Sequence, residues 1–164
     1  MTSALSQRTD FFRSLFENSI FLSALTSWFL AQLIKTIIML LRPRSKRRRP
    51  RDTIETFLWR TGGMPSSHSA LVASLTFSVA FSEGVQSNLF VVTFMFALII
   101  IRDSLGVRRS SGIQSRVLNM LGRQVSEKLK VDYHPVKEIH GHAPLEVAVG
   151  ILLGIFIATA YRFL

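Results

Sequence analysis

Apolar residues gather into four blocks along the chain, from Ile20 to Leu41, Met64 to Phe81, Gly84 to Ile101 and Ala143 to Leu164. A helix needs about 20 mostly apolar residues to cross a bilayer core, so each block is read as a span. The second and third are near the short end, and the second carries many serines. Ahead of them, Phe11, Phe12, Leu15 and Phe16 predict a short amphipathic helix at the membrane interface. Residues 1–18 lack the basic start and apolar run of a cleaved signal peptide. Ile113, Val117, Leu121, Val125 and Leu129 recur at every fourth position, which predicts an amphipathic helix between the third and fourth blocks. The expected fold is all-α: an integral membrane helical bundle of about four transmembrane helices, plus the N-terminal interfacial helix, in a single domain over residues 1–164.

Charge tests that division. The chain has 20 Lys plus Arg against 10 Asp plus Glu, yet 48% of its residues are hydrophobic and its mean hydropathy is +0.33. A basic nucleic-acid binder is normally polar on average, whereas membrane proteins collect Lys and Arg in cytoplasmic loops. Sixteen of the twenty basic residues fall in 42–60 and 102–141, while the short connection from Ser82 to Asn88 holds Glu83 and no basic residue. Both basic stretches are therefore expected in the cytoplasm and both termini outside. The run from Arg44 to Arg51 reads first as a solvated flank that touches anionic head groups. There are no cysteines, which excludes disulfides and thiolate metal sites.

Ionisable residues within spans are expensive and so are candidates for function. Here they share the cytoplasmic end: Lys35 and Arg42 in the first span, His68 at the start of the second, His142 and Glu146 at the start of the fourth. Lys35 and Arg42 lie about 10 Å apart on one helical face, with Gln32 and Thr36 near it. In the segment from Thr61 to Ser69, a Gly-Gly pair leads into Pro65 at a first-turn position. The N–H groups of such a helix start attract phosphate, Ser66 and Ser67 add donors, and His68 stands ready for proton transfer. His142 and Glu146 are one turn apart, so the carboxylate can orient the imidazole as a nucleophile or base. Below them, Gly150, Gly154 and Ala158 match Ala70, Ser74 and Ser78 as small-residue stripes that admit close helix packing.

Lys35-x6-Arg42-Pro43, Pro65-Ser66-Ser67-His68 and His142-x3-Glu146 together resemble the type 2 phosphatidic acid phosphatase superfamily, which includes bacterial acid phosphatases and vanadium haloperoxidases. The stretches GGMPSSHSALVASL, DSLGVRR and GHAPLEVAVG are similar to its divergent branch, and the resemblance covers most of the chain from Gln32 onward. It implies that His142 is the nucleophile, Glu146 its orienting carboxylate and His68 the acid for the leaving oxygen. Lys35, Arg42 and Ser66 would hold the phosphoryl oxygens, with no metal or other cofactor. The chain departs from the family pattern at Ser67, which replaces Gly, and at Glu146, which replaces Asp. Pro135 and Val136 stand where the family has Ser-Arg. Arg108 or Arg109, in a loop fixed by Asp103, or else Lys137, would supply the missing charge.

The activity implied is metal-independent hydrolysis of a lipid phosphate monoester or diphosphate through a phosphohistidine. The expected partners are that substrate and the anionic head groups of membrane lipids, with room for a homo-oligomer and no nucleic acid. Two rival readings are a catalytically silent membrane protein that binds anionic head groups, and a metal protein using His134, His140 and His142.

Overall fold

The computed structural model describes residues 10, 12–41, 63–136, 138 and 141–164. Arg42 and the first basic stretch lie outside the described residues, as do Phe11, Lys137 and His140. The described chain is all-α and contains no strand. Its long helices are α1 (Ser19–Leu41), α2 (Ser67–Glu83), α3 (Asn88–Leu105), α4 (Val107–Leu129) and α5 (Pro144–Phe163). Residues 12–17 are helical as well, with Phe12 and Phe16 exposed.

Local chemistry sets the helix ends. The Asn18 carboxamide oxygen accepts from the amides of Ile20 and Phe21 at 2.9 and 3.1 Å and so caps α1. Ser66 caps α2 and Ser87 caps α3, each through its hydroxyl. Between those two helices Gly84 adopts φ +82°, a left-handed conformation that favours glycine. The four-residue connection folds α2 back along α3, and the Thr76 hydroxyl reaches the Thr93 carbonyl at 3.3 Å. Pro144 opens α5, where its missing N–H leaves no helical bond unmade.

Three described helical stretches are long and apolar enough to cross a membrane: α1, α3 with its extension, and α5. The Ser-rich α2 is not among them, which corrects the expectation that four blocks would qualify on their own apolarity. At 17 residues it spans about 25 Å and lies at the centre, packed against α1, α3 and α5. Four of its five serines, Ser67, Ser69, Ser74 and Ser78, are buried against protein, and Ser82 near its end is exposed. Ser23 on α1 hydrogen-bonds Ser74 at 2.7 Å and Ser78 at 2.9 Å, so these buried hydroxyls satisfy one another. Thr26 and Tyr161 make a similar link between α1 and α5 at 2.9 Å.

The tightest seam joins α2 to α5. A Cβ at Gly150 would collide with the Ser66 carbonyl oxygen, and one at Gly154 with the Ala70 carbonyl and the Ser74 nitrogen. The two backbones therefore touch where the small-residue stripes were expected to meet. This contact brings the starts of α2 and α5 to the same end of the bundle.

Two boundaries also differ from expectation. α2 and α3 begin three to four residues later than the apolar blocks suggest, because Ser66 and Ser87 are their N-caps; Pro65 therefore precedes α2 instead of standing in its first turn, and Gly84 closes that helix. The stretch 102–141 is mostly helix: α3 continues to Leu105, the chain turns at Gly106, and α4 follows at once. The segment after α4 is held by Asn119. Its side chain donates to the Val136 carbonyl and to Glu138, each at 3.0 Å, and accepts from Tyr133 at 2.7 Å and the Val136 amide at 2.9 Å.

Candidate functional site

The beginnings of α2 and α5 and the end of α3 converge at one end of the bundle. The Ser66 amide donates to the Glu146 carbonyl at 2.9 Å, and the His142 amide to the Ser104 carbonyl at 3.3 Å. These backbone bonds fix where the side chains of the two motifs stand.

His142 is 5% exposed, and its Nδ1 lies 2.9 Å from a carboxylate oxygen of Glu146. A carboxylate only accepts, so Nδ1 donates this bond, and in the neutral ring the lone pair then belongs to Nε2. The same carboxylate oxygen accepts from the Ala143 amide at 3.2 Å, which holds it at the first turn of α5. His142 lies just ahead of α5, and the two meet because Glu146, in the first turn of that helix, reaches back past the Ala143 cap.

Opposite them is the start of α2. Ser66 is fully buried, and its hydroxyl accepts from the Ser69 hydroxyl at 2.9 Å and the Ser69 amide at 3.4 Å. The amides of Ser67 and His68 have no acceptor among the described residues, as is usual for the first N–H groups of a helix. Ser67 is buried, while His68 is exposed. His68 lies within electrostatic range of Arg108, His142, Lys35 and Asp103, which gathers most of the candidate ionisable groups around it.

Lys35 comes in from α1 and is 7% exposed, on the same inward face as Ser27 and Gln32. Its neighbour Gly63 has φ +92° and lies against the lysine stem: a Cβ built there would sit 3.6 Å from the Lys35 Cγ. Burying an ammonium in a bundle is unfavourable unless opposite charge offsets it, and Glu146 is the acidic group in electrostatic range. The Gln32 carboxamide oxygen is buried and makes no hydrogen bond among the described residues.

From the α3–α4 junction, Arg108 pairs with Asp103 at 2.6 Å, both side chains about 40% exposed. Asp103 thus holds Arg108 on the side facing His68. Arg109 does something different: its side chain is exposed, and its backbone packs so closely on Gly141 that any Cβ there would strike it. Val136, standing where the related motif has arginine, is tied by its backbone to Asn119. His134 is exposed, and His140 lies outside the described residues.

Of the expected group, Lys35, Ser66, Ser67, His68, Asp103, Arg108, His142 and Glu146 come together at this end. Gln32 lies one turn before Lys35 on the buried face of α1, and Arg42 is not described. Three contributors were not anticipated: Ser69, which supports Ser66; the Ser104 carbonyl, which anchors His142; and Asn119, which ties down the segment leading to His142. Ser69 directly follows Pro-Ser-Ser-His and closes the segment from Thr61 to Ser69 singled out in the sequence. The other two act through contacts between elements distant in sequence.

A family described as the divergent PAP2 family matches residues 16–157. An uncharacterized membrane protein of Bacillus subtilis (strain 168), YuiD, is 43% identical over 117 residues, covering 63% of this chain and 74% of that protein. No solved structure matches.

Proposed function

The chain belongs to the divergent PAP2 family and is a multi-pass membrane protein; on that premise we propose that it is a lipid phosphate phosphatase acting through a phosphohistidine. The observation that carries this reading is the His142–Glu146 pair at 2.9 Å, its imidazole buried and its carboxylate partly exposed, within electrostatic range of His68 and Lys35 at one end of the bundle.

His142 Nε2 attacks the phosphorus of the substrate while the bond from phosphorus to the leaving oxygen breaks. His68 gives its proton to that oxygen, releasing the lipid alcohol or lipid monophosphate. Glu146 accepts the Nδ1 hydrogen bond throughout, which fixes the tautomer and stabilises the positive charge that grows on the ring. Water then attacks the phosphohistidine, giving up a proton to His68 as inorganic phosphate leaves and Nε2 recovers its lone pair. Lys35, Arg108, the Ser66 and Ser67 hydroxyls and the Ser67 and His68 amides at the start of α2 stabilise the transferring group. Arg42 and Arg109 are further candidates for this role. Such positioned donors and cations supply the electrostatic stabilisation that phosphoryl transfer requires.

The substrate class follows from depth. A phosphate at the end of the bundle, with its apolar tail among the helices, suits phosphatidate, phosphatidylglycerophosphate or a polyprenyl (di)phosphate. The excess of Lys and Arg in the two basic stretches orients this end toward the cytoplasm.

A second reading is favoured by one departure. Val136 replaces the arginine of the related motif, so a silent membrane protein that binds anionic head groups through its basic segments is the alternative. Phosphate release from a panel of lipid phosphates in detergent separates the two. The phosphatase reading expects turnover that persists in a chelator and is inhibited by vanadate. Head-group binding without release of phosphate from any of them would favour the silent protein.

A further inference from the structure

α4 exposes an apolar stripe that none of the described residues covers. Ile113, Val117, Leu121, Val125 and Leu129 are between 44% and 69% exposed, and Leu118 and Met120 widen the stripe. The face turned toward the protein is instead polar and small, built around Ser115, Asn119, Gly122 and Ser126. Tyr133 packs directly against Gly122, and Asn119 holds the segment that follows. This reverses the usual arrangement of a globular helix, whose apolar stripe faces the core.

We propose that this stripe is occupied by the membrane surface: α4 is an interfacial helix that binds anionic lipid head groups on the same side of the bilayer as the His142 site. Two observations select lipid over a protein partner. The first is continuity. α4 follows α3 after the single residue Gly106, and α3 is an apolar membrane helix with most of its side chains exposed on its outer face. The chain therefore enters α4 at the depth where hydrocarbon gives way to head groups. The second is charge. Between Val107 and Leu129 there are five basic residues, Arg108, Arg109, Arg116, Arg123 and Lys128, against Glu127 alone. Arg109, Arg116 and Arg123 recur at every seventh position and form a row on one flank of the stripe. Arg116 reaches Glu138 at 3.6 Å while its side chain stays 70% exposed. Apolar side chains beside a row of long cations let a helix sit at an anionic interface, stripe in the acyl boundary and charges among the phosphates.

The position has a consequence for the site. The first turn of α4 carries Arg108 and packs by the Arg109 backbone on Gly141, next to His142. The middle of the helix holds Val136 through Asn119. A helix anchored on lipid would thus brace the segment that presents His142.

The absence of native cysteine makes the test direct. Val117→Cys, Leu121→Cys, Val125→Cys, Arg116→Cys and Arg123→Cys are each nitroxide-labelled in the full chain, reconstituted in phosphatidylcholine vesicles with and without phosphatidylglycerol. Collisions with oxygen, which concentrates in lipid, are compared with collisions with a water-soluble nickel complex. Labels at 117, 121 and 125 are expected to favour oxygen, those at 116 and 123 to favour nickel, and the contrast to shrink without phosphatidylglycerol. Access of nickel to all five positions would overturn the proposal. So would loss of both reagents at 117, 121 and 125, the pattern of a protein partner such as a second copy, or a contrast indifferent to phosphatidylglycerol. The readout does not use activity, so it stands apart from the phosphatase proposal.

Discussion

The His142→Ala variant is expected to release phosphate about 10⁴-fold or more slowly than wild type, the scale seen when a covalent nucleophile is removed. The loss should lie in turnover, because Lys35, Arg108 and the start of α2 remain to bind the phosphate. Folding should be spared. The His142 side chain contributes one hydrogen bond to Glu146, and the backbone bond from residue 142 to the Ser104 carbonyl does not depend on the ring. Truncating the imidazole leaves Glu146 with the Ala143 amide as a partner, so its carboxylate is not stranded. Initial rates on a lipid phosphate, with elution profile and helical content as the folding control, make the comparison. Undiminished activity in a folded variant would remove His142 from the mechanism.

Gly154→Val is expected to have the largest effect on stability, about 3 kcal/mol or more, at the upper end of overpacking. The added Cβ meets backbone atoms of α2, the Ala70 carbonyl and the Ser74 nitrogen, which cannot rotate away as a side-chain end could. Separating α5 from α2 would also stretch the Ser66–Glu146 backbone bond that aligns the two motifs. Thermal unfolding in detergent should shift downward, and residual activity should fall with it. The surface change Leu152→Val, on the exposed side of the same helix, should leave the transition nearly unmoved. An unshifted transition for Gly154→Val would mean that the seam is looser than described.

Much of this was readable along the chain because helical periodicity converts spacing into geometry. The four-residue spacing put Glu146 within reach of His142, although His142 lies ahead of α5 and the carboxylate reaches back from the first turn to bond it. Gly150 and Gly154 opposite Ala70 and Ser74 forecast a close seam for the same reason. α2 was harder to judge. Its serines lower its apolarity below that of its neighbours, yet pairing across helices, as in Ser23 with Ser74 and Ser78, lets them be buried. The stripe from Ile113 to Leu129 predicted an amphipathic helix correctly, but periodicity does not say what the apolar face meets. The roles of Asn119 and the Ser104 carbonyl depend on partners brought close only by the fold. The departure at Pro135 and Val136 was visible in sequence, whereas the approach of the Asp103–Arg108 pair to His68 needed the bundle.

The central claim is that His142 bonds covalently to phosphorus, and trapping that bond tests it most directly. Wild type and His142→Ala are mixed with a lipid phosphate labelled at phosphorus, quenched in the steady state and digested. The account predicts phosphate on the peptide containing His142, stable in alkali and lost in acid, and none in the variant. Release of phosphate by wild type with no such adduct under rapid quench, or an equal adduct in the variant, would contradict it.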